Sequence, residues 1–296
     1  MKKILFFILA IMLLSCIKTP EIENKKTAFD FIVPKGFDWD NLIEQKITKS
    51  NTEHYYGTLW FEDTYPSFGD NDMNDFVANY KTSHHYVNGS NYKVGSTTIS
   101  IQVLATGGTQ QIGFGFVYET LSKNKFKKIK VLKNDVEIPV DINFFKQGNT
   151  NYENYMTVDI TNNIHKEFGV ADTVMINTTT KRYPIINYVV YIEFEPINKI
   201  TNKGIDFYIT KEFTENKRIE IHTFGNFSTS LATNNYADFH NENKVWGLRL
   251  DIQNLPYSKE LINIFEAYPQ LKQYVISNKK QNKYWYIYPI DKKVIN

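Results

Sequence analysis

The chain has one cysteine, Cys16, among 296 residues, and it has no apolar run long enough to cross a bilayer. A single thiol cannot close an internal disulfide, so stability must come from a packed core. The run from Ile4 to Leu14 falls well short of the ~20 residues that a membrane-spanning helix requires. An excess of one charge is missing too: 34 basic side chains stand against 32 acidic ones. Setting Lys2 and Lys3 aside brings the two signs level, which excludes the basic footprint of a nucleic-acid binder. The basic clusters at Lys123 to Lys130 and at Lys279-Lys280 sit among turn residues and read as solvated loops. Catalytic signatures are also absent. There is no Gly-x-Ser-x-Gly elbow, no His-Glu-x-x-His pair and no phosphate loop. His165 and Glu167 lack the second histidine that a helical zinc site needs.

What is present begins with a leader. Lys2 and Lys3 precede the short apolar run, and Ser15 and Cys16 follow it. A basic start followed by a brief apolar stretch is an export signal. The sequence Leu13-Leu14-Ser15-Cys16 resembles the lipobox of bacterial lipoproteins. That resemblance implies a leader over residues 1–15 and a lipid on Cys16 that holds the chain to a membrane. Ile17 in place of aspartate after the cysteine favours the outer membrane. Residues 16–28 are polar and read as a tether. Residues 29–54 start with an aromatic stretch and are expected to pack on a main domain over 55–296.

The main stretch reads as β-structure. Apolar and polar residues alternate over Thr98–Val103, Lys128–Val131 and Val136–Ile142, as on strands with one buried face. Asn134 and Asp135 tolerate left-handed backbone angles and predict a hairpin turn between the last two. Further strands are expected over Tyr155–Ile160, Val189–Phe194, Ile205–Ile209, Arg218–Thr223, Trp246–Ile252 and Trp285–Ile290. Many short strands broken by Asn, Gly and Thr predict an all-β sandwich of jelly-roll type. One segment differs. Leu261, Ile264, Phe265, Tyr268, Leu271 and Val275 recur every three or four residues, which predicts a short C-terminal helical segment capped by Ser258 and broken by Pro269. It is expected to cover an edge or an open end of the sandwich.

The most informative stretch is acidic. Asp70, Asp72 and Asn74 alternate and Asp75 follows at once, with Glu62 and Asp63 at the end of the preceding strand. Oxygen donors two residues apart in a tight loop can converge on one calcium ion. A solvated turn is the structural alternative, since Gly, Asp and Asn favour turns for backbone reasons alone. Calcium is expected over magnesium because flexible all-oxygen cages suit it. Zinc is disfavoured because no histidine or cysteine lies nearby.

Phe61-Glu62-Asp63, Pro66, Gly69 to Val77 and Tyr80 together resemble the signature of the LruC-domain family of bacterial lipoproteins and exported proteins. Gly113 to Phe116, Arg218 to His222, Trp246-Gly247-Leu248, Glu266 to Pro269 and Trp285-Tyr286 follow in the family's order. Tyr65 stands where tryptophan is usual, Thr223-Phe224 replaces Leu-Pro, and Val245 replaces the proline before Trp246. The resemblance implies an extracytoplasmic β-rich domain of unknown function, and it implies no catalytic residue.

Among other candidates, His84 and His85 are adjacent, cannot easily share an ion, and read as loop surface. Glu220 and His222 share a strand face and read as a buried pair supporting the fold. Most aromatic residues are expected in the core, with Tyr65, Trp246 and Tyr286 as candidates for stacking on sugars or binding a protein. The resulting expectation is a lipid-anchored envelope protein with a structural calcium loop over Asp70, Asp72, Asn74, Asp75, Glu62 and Asp63. It would act in binding or adhesion, with a carbohydrate or protein as ligand. The alternative is a carbohydrate hydrolase using paired carboxylates such as Glu62 and Asp75.

Overall fold

Alternating apolar residues build two antiparallel sheets packed face to face, in a computed structural model that describes residues 52–295. Within that range residues 68, 88 and 91 and the segments 147–152, 178–182, 199–203, 215–216, 235–239 and 242–243 are not described. The leader, Cys16, the tether and the segment from 29 to 51 lie outside the described residues. Among the described residues no helix is long and apolar enough to cross a membrane.

The strands are β1 (Thr52–Phe61), β2 (Phe76–Tyr86), β3 (Lys93–Ala105), β4 (Ile112–Glu119), β5 (Phe126–Lys133), β6 (Val136–Ile138), β7 (Asp141–Phe145) and β8 (Tyr155–Thr161). After a one-turn helix, α1 (Ile164–Glu167), come β9 (Ile186–Asn198), β10 (Ile205–Thr214), β11 (Lys217–His222), β12 (His240–Asn241), β13 (Lys244–Val245), β14 (Gly247–Leu250) and β15 (Tyr257–Ser258). Two short helices, α2 (Ile264–Ala267) and α3 (Leu271–Ile276), precede β16 (Val294–Ile295). The larger sheet has the order β14-β1-β2-β3-β9-β5-β6 and the smaller one β11-β10-β4-β8-β7. The all-β sandwich expected from the sequence is therefore present. Its first strand starts at Thr52, because β1 pairs with β2 from Thr52 opposite His85 to Phe61 opposite Phe76. Residues 52–54 thus belong to the sandwich and not to a preceding segment.

Aromatic rings fill the space between the sheets. Phe76 of the larger sheet stacks on Phe114 of the smaller at 4.5 Å, and Phe207 continues the stack. Such pairs add ~0.5–1.5 kcal/mol each beyond the area they bury. A second core lies on the outer face of the larger sheet. There Trp60, Val77 and Leu248 meet Tyr268, Leu271, Val275 and Trp285. The C-terminal segment thus covers a sheet face, and not an edge or open end as anticipated, because alternate residues of β1 and β14 turn apolar side chains outward.

Several local expectations need correction. Val136–Ile142 is not one strand: Pro139 lacks an N–H, and the chain leaves the larger sheet after Ile138 to enter the smaller at Asp141. Trp285–Ile290 is no strand either. Trp285–Ile287 is a 3-10 turn whose tryptophan plugs the second core. The strand expected over Trp246–Ile252 is confined to Gly247–Leu250. Ser258 lies in β15 and caps nothing; the cap is Asn263, whose side chain accepts the Phe265 N–H at 2.9 Å. Leu261 is left-handed at φ 62° and 72% exposed, so it leaves the helical stripe. The break at Pro269 falls between α2 and α3, as the sequence predicts. Lys127, Lys128 and Lys130 lie on β5, paired with Glu195, Glu193 and Glu137, and not in loops. His84 and His85 occupy β2 and not a surface loop. His84 is buried against the Thr97 hydroxyl at 2.9 Å, while half-buried His85 meets Thr98 on the opposite face.

The β5–β6 hairpin has Lys133 opposite Val136, with Asn134 at φ 44° and Asp135 at φ 72°. These two left-handed residues match a turn with the twist of a hairpin. Asp135→Gly should raise stability by roughly 0.5–1 kcal/mol, because glycine meets no Cβ penalty there. A urea denaturation midpoint that falls would contradict this account of the turn.

Candidate metal centre

The acidic loop, residues 62–75, connects β1 to β2 and is held by segments distant in sequence. The N–H of Ile264 donates to the Asn71 carbonyl at 2.7 Å, and that of Gly107 to the Asn74 carbonyl at 2.9 Å. Lys211 donates to the Asp63 carbonyl at 3.1 Å, and Trp246 Nε1 to the Ser67 carbonyl at 3.3 Å. Asn71 and Met73 are left-handed at φ 57° and 62°. Their alternation with Asp70, Asp72 and Asn74 coils the loop so that its acids turn inward.

The carboxylates meet in two groups. Glu62, Asp70 and Asp72 offer oxygens within 4.8 Å of one another, and so do Glu62, Asp63 and Asp75. Glu62, Asp63, Asp72 and Asp75 are all buried, and Asp70 is the most open. Asn74 stands apart from this convergence. Its amide donates to the Ser258 carbonyl at 3.4 Å, and its Oδ1 faces Gly107. The six predicted ligands are thus brought to one region, but residues 70, 72, 74 and 75 do not share a single focus. The sequence reading missed Glu260, whose charge acts on Asp72 and whose carboxylate accepts from Asn177 at 3.0 Å. Nothing in its spacing signalled this, since it reaches the loop only through the fold. Lys211 and Lys244 were missed likewise. Lys244 is buried 3.6 Å from Glu62 and donates to Thr64 at 2.8 Å.

Burial dominates the electrostatics. It pushes Asp72 up to about 8, with Asp70, Glu260 and Glu62 adding repulsion. Asp63 rises to about 6, through burial and then the charge of Glu62. Asp75 is held well above the usual carboxylate range by burial and by Asp63. Asp75 Oδ2 accepts the Asp63 N–H at 2.7 Å, and the Asp63 and Asp75 side chains hydrogen-bond each other, which two carboxyl groups do by sharing a proton, while Asn74 Oδ1 is buried with no hydrogen-bond partner among the described residues. The backbone of Gly107 approaches Asn74 Oδ1, and that of Gly108 approaches Asp63 Oδ2. A Cβ on Gly108 would sit 2.4 Å from Asp63 Oδ2 and 2.8 Å from Asp75 Oδ1, so both oxygens are aimed at one small space. Buried carboxylates crowded together are costly unless something neutralises them, and all-oxygen donors suit calcium.

A second buried polar cluster lies on the outer face of the smaller sheet. Asp206 and Tyr208 on β10 and Arg218, Glu220 and His222 on β11 point away from the core, under the segment 223–234. His222 faces a carboxylate with each ring nitrogen: Asp206 at 2.5 Å and Glu220 at 3.0 Å. Burial alone would lower its pKa, but the two carboxylates outweigh this and lift it to about 9. Glu220 would likewise be raised by burial, yet His222 and Arg218 bring it down to about 2. Arg218 grips Asp159 through two bonds, at 2.8 and 2.9 Å. Thr229 donates both its N–H and its hydroxyl to Glu220, and Thr223 and Asn226 donate to Asp206. Each carboxylate is satisfied, which fits the supporting role anticipated for Glu220 and His222. Tyr65 and Trp246 pack edge to face at 5.2 Å and are buried, so neither is a platform for a sugar. Tyr286 is half-buried beside Trp285. A cleft of about 1000 Å³ lies elsewhere, lined by His54, Tyr56, Phe224, Asn226, Arg249 and Tyr274 among others.

Two antiparallel sheets with a buried acidic loop between the first two strands define an all-β sandwich domain. The chain belongs to the family described as a domain of unknown function (DUF4842), whose model matches residues 92–286. The acidic loop precedes that stretch, while Gly107, Gly108, Lys211, Lys244 and Glu260 lie within it. The chain is similar in fold to a crystal structure, at 2.08 Å, of a Bacteroides ovatus protein described as a "putative lipoprotein". The TM-score is 0.56 at 18% identity, covering 83% of this chain and 76% of that one. The pilus backbone of Streptococcus pneumoniae gives a TM-score of 0.22 at 9% identity, over 60% of this chain and 54% of that one, and carries no argument. Comparison with the curated proteins gave no match.

Proposed function

We propose that this is a lipid-anchored cell-envelope protein of the LruC-domain type, acting in binding or adhesion, whose acidic loop is braced by calcium. The observation that carries the metal is the convergence of largely buried carboxylates, Glu62, Asp63 and Asp75 offering oxygens within 4.8 Å of one another and Glu62, Asp70 and Asp72 doing the same. A solvated turn would leave such atoms to water. The ion's role is structural: it lets the loop bridge β1, β2 and the C-terminal segment without mutual repulsion. The anchor rests on the leader and on Cys16, and the outer membrane on Ile17. The cleft beside Tyr56 and Tyr274 is the surface we assign to a carbohydrate or protein ligand. The hydrolase alternative is disfavoured, because Glu62 and Asp75 are buried and Asp75 is bonded to the Asp63 backbone, so a sugar does not reach them.

Two measurements test this reading. Calorimetric titration of the chelator-treated protein with calcium should give saturable binding, and millimolar calcium should raise the melting temperature above that in EGTA. Superimposable melting curves and no heat of binding would remove calcium from the account. Labelling with radioactive palmitate in the producing bacterium should depend on Cys16; label retained in Cys16→Ala would remove the anchor.

A further inference from the structure

The exposed apolar side chains are concentrated near the C-terminal end. Of the twelve large hydrophobic residues that stand open to solvent among the described residues, five lie between residues 276 and 290: Ile276, Tyr284, Ile287, Tyr288 and Ile290. We propose that this segment is a membrane contact, laid against an anionic phospholipid bilayer with its tyrosine and isoleucine side chains at headgroup level. It goes beyond the acyl anchor proposed above and is measurable without it.

Local structure turns these side chains outward. Trp285 is fully buried against Trp60 and Tyr268, which fixes the inner side of the 3-10 turn Trp285–Ile287. The Ile287 N–H donates to the Tyr284 carbonyl at 3.1 Å, and residues three apart in such a turn share one side. Tyr284 and Ile287 therefore stand together, away from the core. On α3, Leu271 and Val275 face inward, while Lys272 and Ile276, four apart, share the exposed side. Gln273 donates to the Gln281 side chain at 3.1 Å, and Asn282 to the Gln270 carbonyl at 3.4 Å, so helix and turn present one continuous surface. The patch is pinned to the second core and is no loose tail.

Charge identifies what covers it. Residues 272–293 hold six lysines and one carboxylate, Asp291. Of the neighbouring carboxylates, Glu266 pairs with Lys293 at 2.8 Å, and Asp251 acts on Tyr274 and Tyr286. Lys279 is held by the Phe224 carbonyl and ring. Lys272, Lys280, Lys283 and Lys292 are exposed and make no ion pair among the described residues. Lysine is depleted in the cores of protein interfaces, which disfavours a protein partner. Tyrosine rings and lysines around apolar side chains are instead the composition of a membrane–water interface, where each ammonium is drawn to anionic lipid. Residues 17–51 separate Cys16 from β1, and a chain of that length spans up to ~120 Å. An acyl anchor on Cys16 thus leaves this surface free to reach the same bilayer.

Co-sedimentation with sucrose-loaded vesicles tests the contact. The protein used is the sequence from residue 16 onward with Cys16→Ala, which keeps every described residue and carries no lipid. It should bind vesicles of phosphatidylglycerol and phosphatidylcholine in equal parts, and pure phosphatidylcholine far more weakly. A lysine near an anionic surface contributes about five-fold in partitioning, so Lys280→Gln with Lys283→Gln should weaken binding roughly 25-fold. Tyr284→Ser with Ile287→Ser should weaken it about ten-fold. All four side chains are exposed, and circular dichroism would verify that both double variants fold. Absence of binding, equal binding to the two vesicle types, or binding unchanged in both folded variants would overturn the proposal. So would a dimer in analytical ultracentrifugation that Tyr284→Ser with Ile287→Ser dissociates, since a second copy of the chain would then occupy the patch. The vesicle result does not depend on the labelling of Cys16, so failure of either reading leaves the other intact.

Discussion

Asp63→Asn should invert the effect of calcium on stability. In calcium the parent protein should melt above the variant, and in EGTA it should melt below it. A ligand at a hundred times its dissociation constant adds ~2.7 kcal/mol to the folded state. In a domain of this size that corresponds to about 5–10 °C. The variant loses most of this gain because the substitution removes one of the negative charges that offset the ion's own charge. In EGTA, however, the asparagine Nδ2 can donate to Asp75 at any pH, whereas the Asp63–Asp75 hydrogen bond needs a proton that is lost as pH rises through about 6. One restored buried hydrogen bond is worth ~1 kcal/mol, or ~2–4 °C. A merely structural aspartate would give a variant less stable in both media, and that pattern would defeat the metal. The pH dependence has a definite sign. Asp63 and Asp72 titrate at about 6 and 8 when folded, above their ordinary 3.8. The stability they confer without metal is complete below about 4 and is lost as pH rises through 6 and 8. Calcium removes that loss, so its stabilising effect should grow from pH 5 to pH 8.

The second large effect belongs to His222. Its folded pKa of about 9 exceeds the ordinary 6.5, so the stability it confers is complete below 6.5 and is lost as pH rises through 9. The shift corresponds to roughly 3 kcal/mol at this fully buried ring. The melting temperature should therefore fall between pH 7 and pH 10, and His222→Gln should flatten that fall. His222→Ala should cost about 3–5 kcal/mol at neutral pH, since Asp206 would stay buried without its cation and Glu220 would keep only Arg218. A parent melting temperature constant to pH 10 would show that the ring is neutral. Because Thr223 and Asn226 hang from Asp206, the same variant should loosen the wall of the cleft.

The legible parts of this fold were those with short-range causes. Thr98 to Val103 alternate because one face of β3 is buried, and Asn134-Asp135 turn because both tolerate positive φ. Pro269 ended a helix for want of an N–H. The acidic loop was visible because ligand-type residues cluster within a few positions. Its division into two triads was not, since Glu62 reaches both groups only after β1 and β2 have paired. Lys211, Lys244 and Glu260 come from β10, β13 and the stretch after β15, and no spacing connects them to residue 62. His84 was misplaced for a related reason. A polar side chain on a strand reads as surface unless its partner, here Thr97 on the neighbouring strand, is known. Trp285 failed in the opposite sense: its apolar neighbours suggested a strand, but the tryptophan alone fills a hole over Trp60.

The loop between the first two strands takes its partners from Gly107, Lys211, Trp246 and Ile264, each delivered by a different part of the sandwich. Such a junction can close only after its surroundings have assembled. If that closure follows the rate-limiting step of folding, strengthening it slows unfolding without hastening folding. An ion bound there, as proposed, would be a latch whose benefit is the lifetime of the native state.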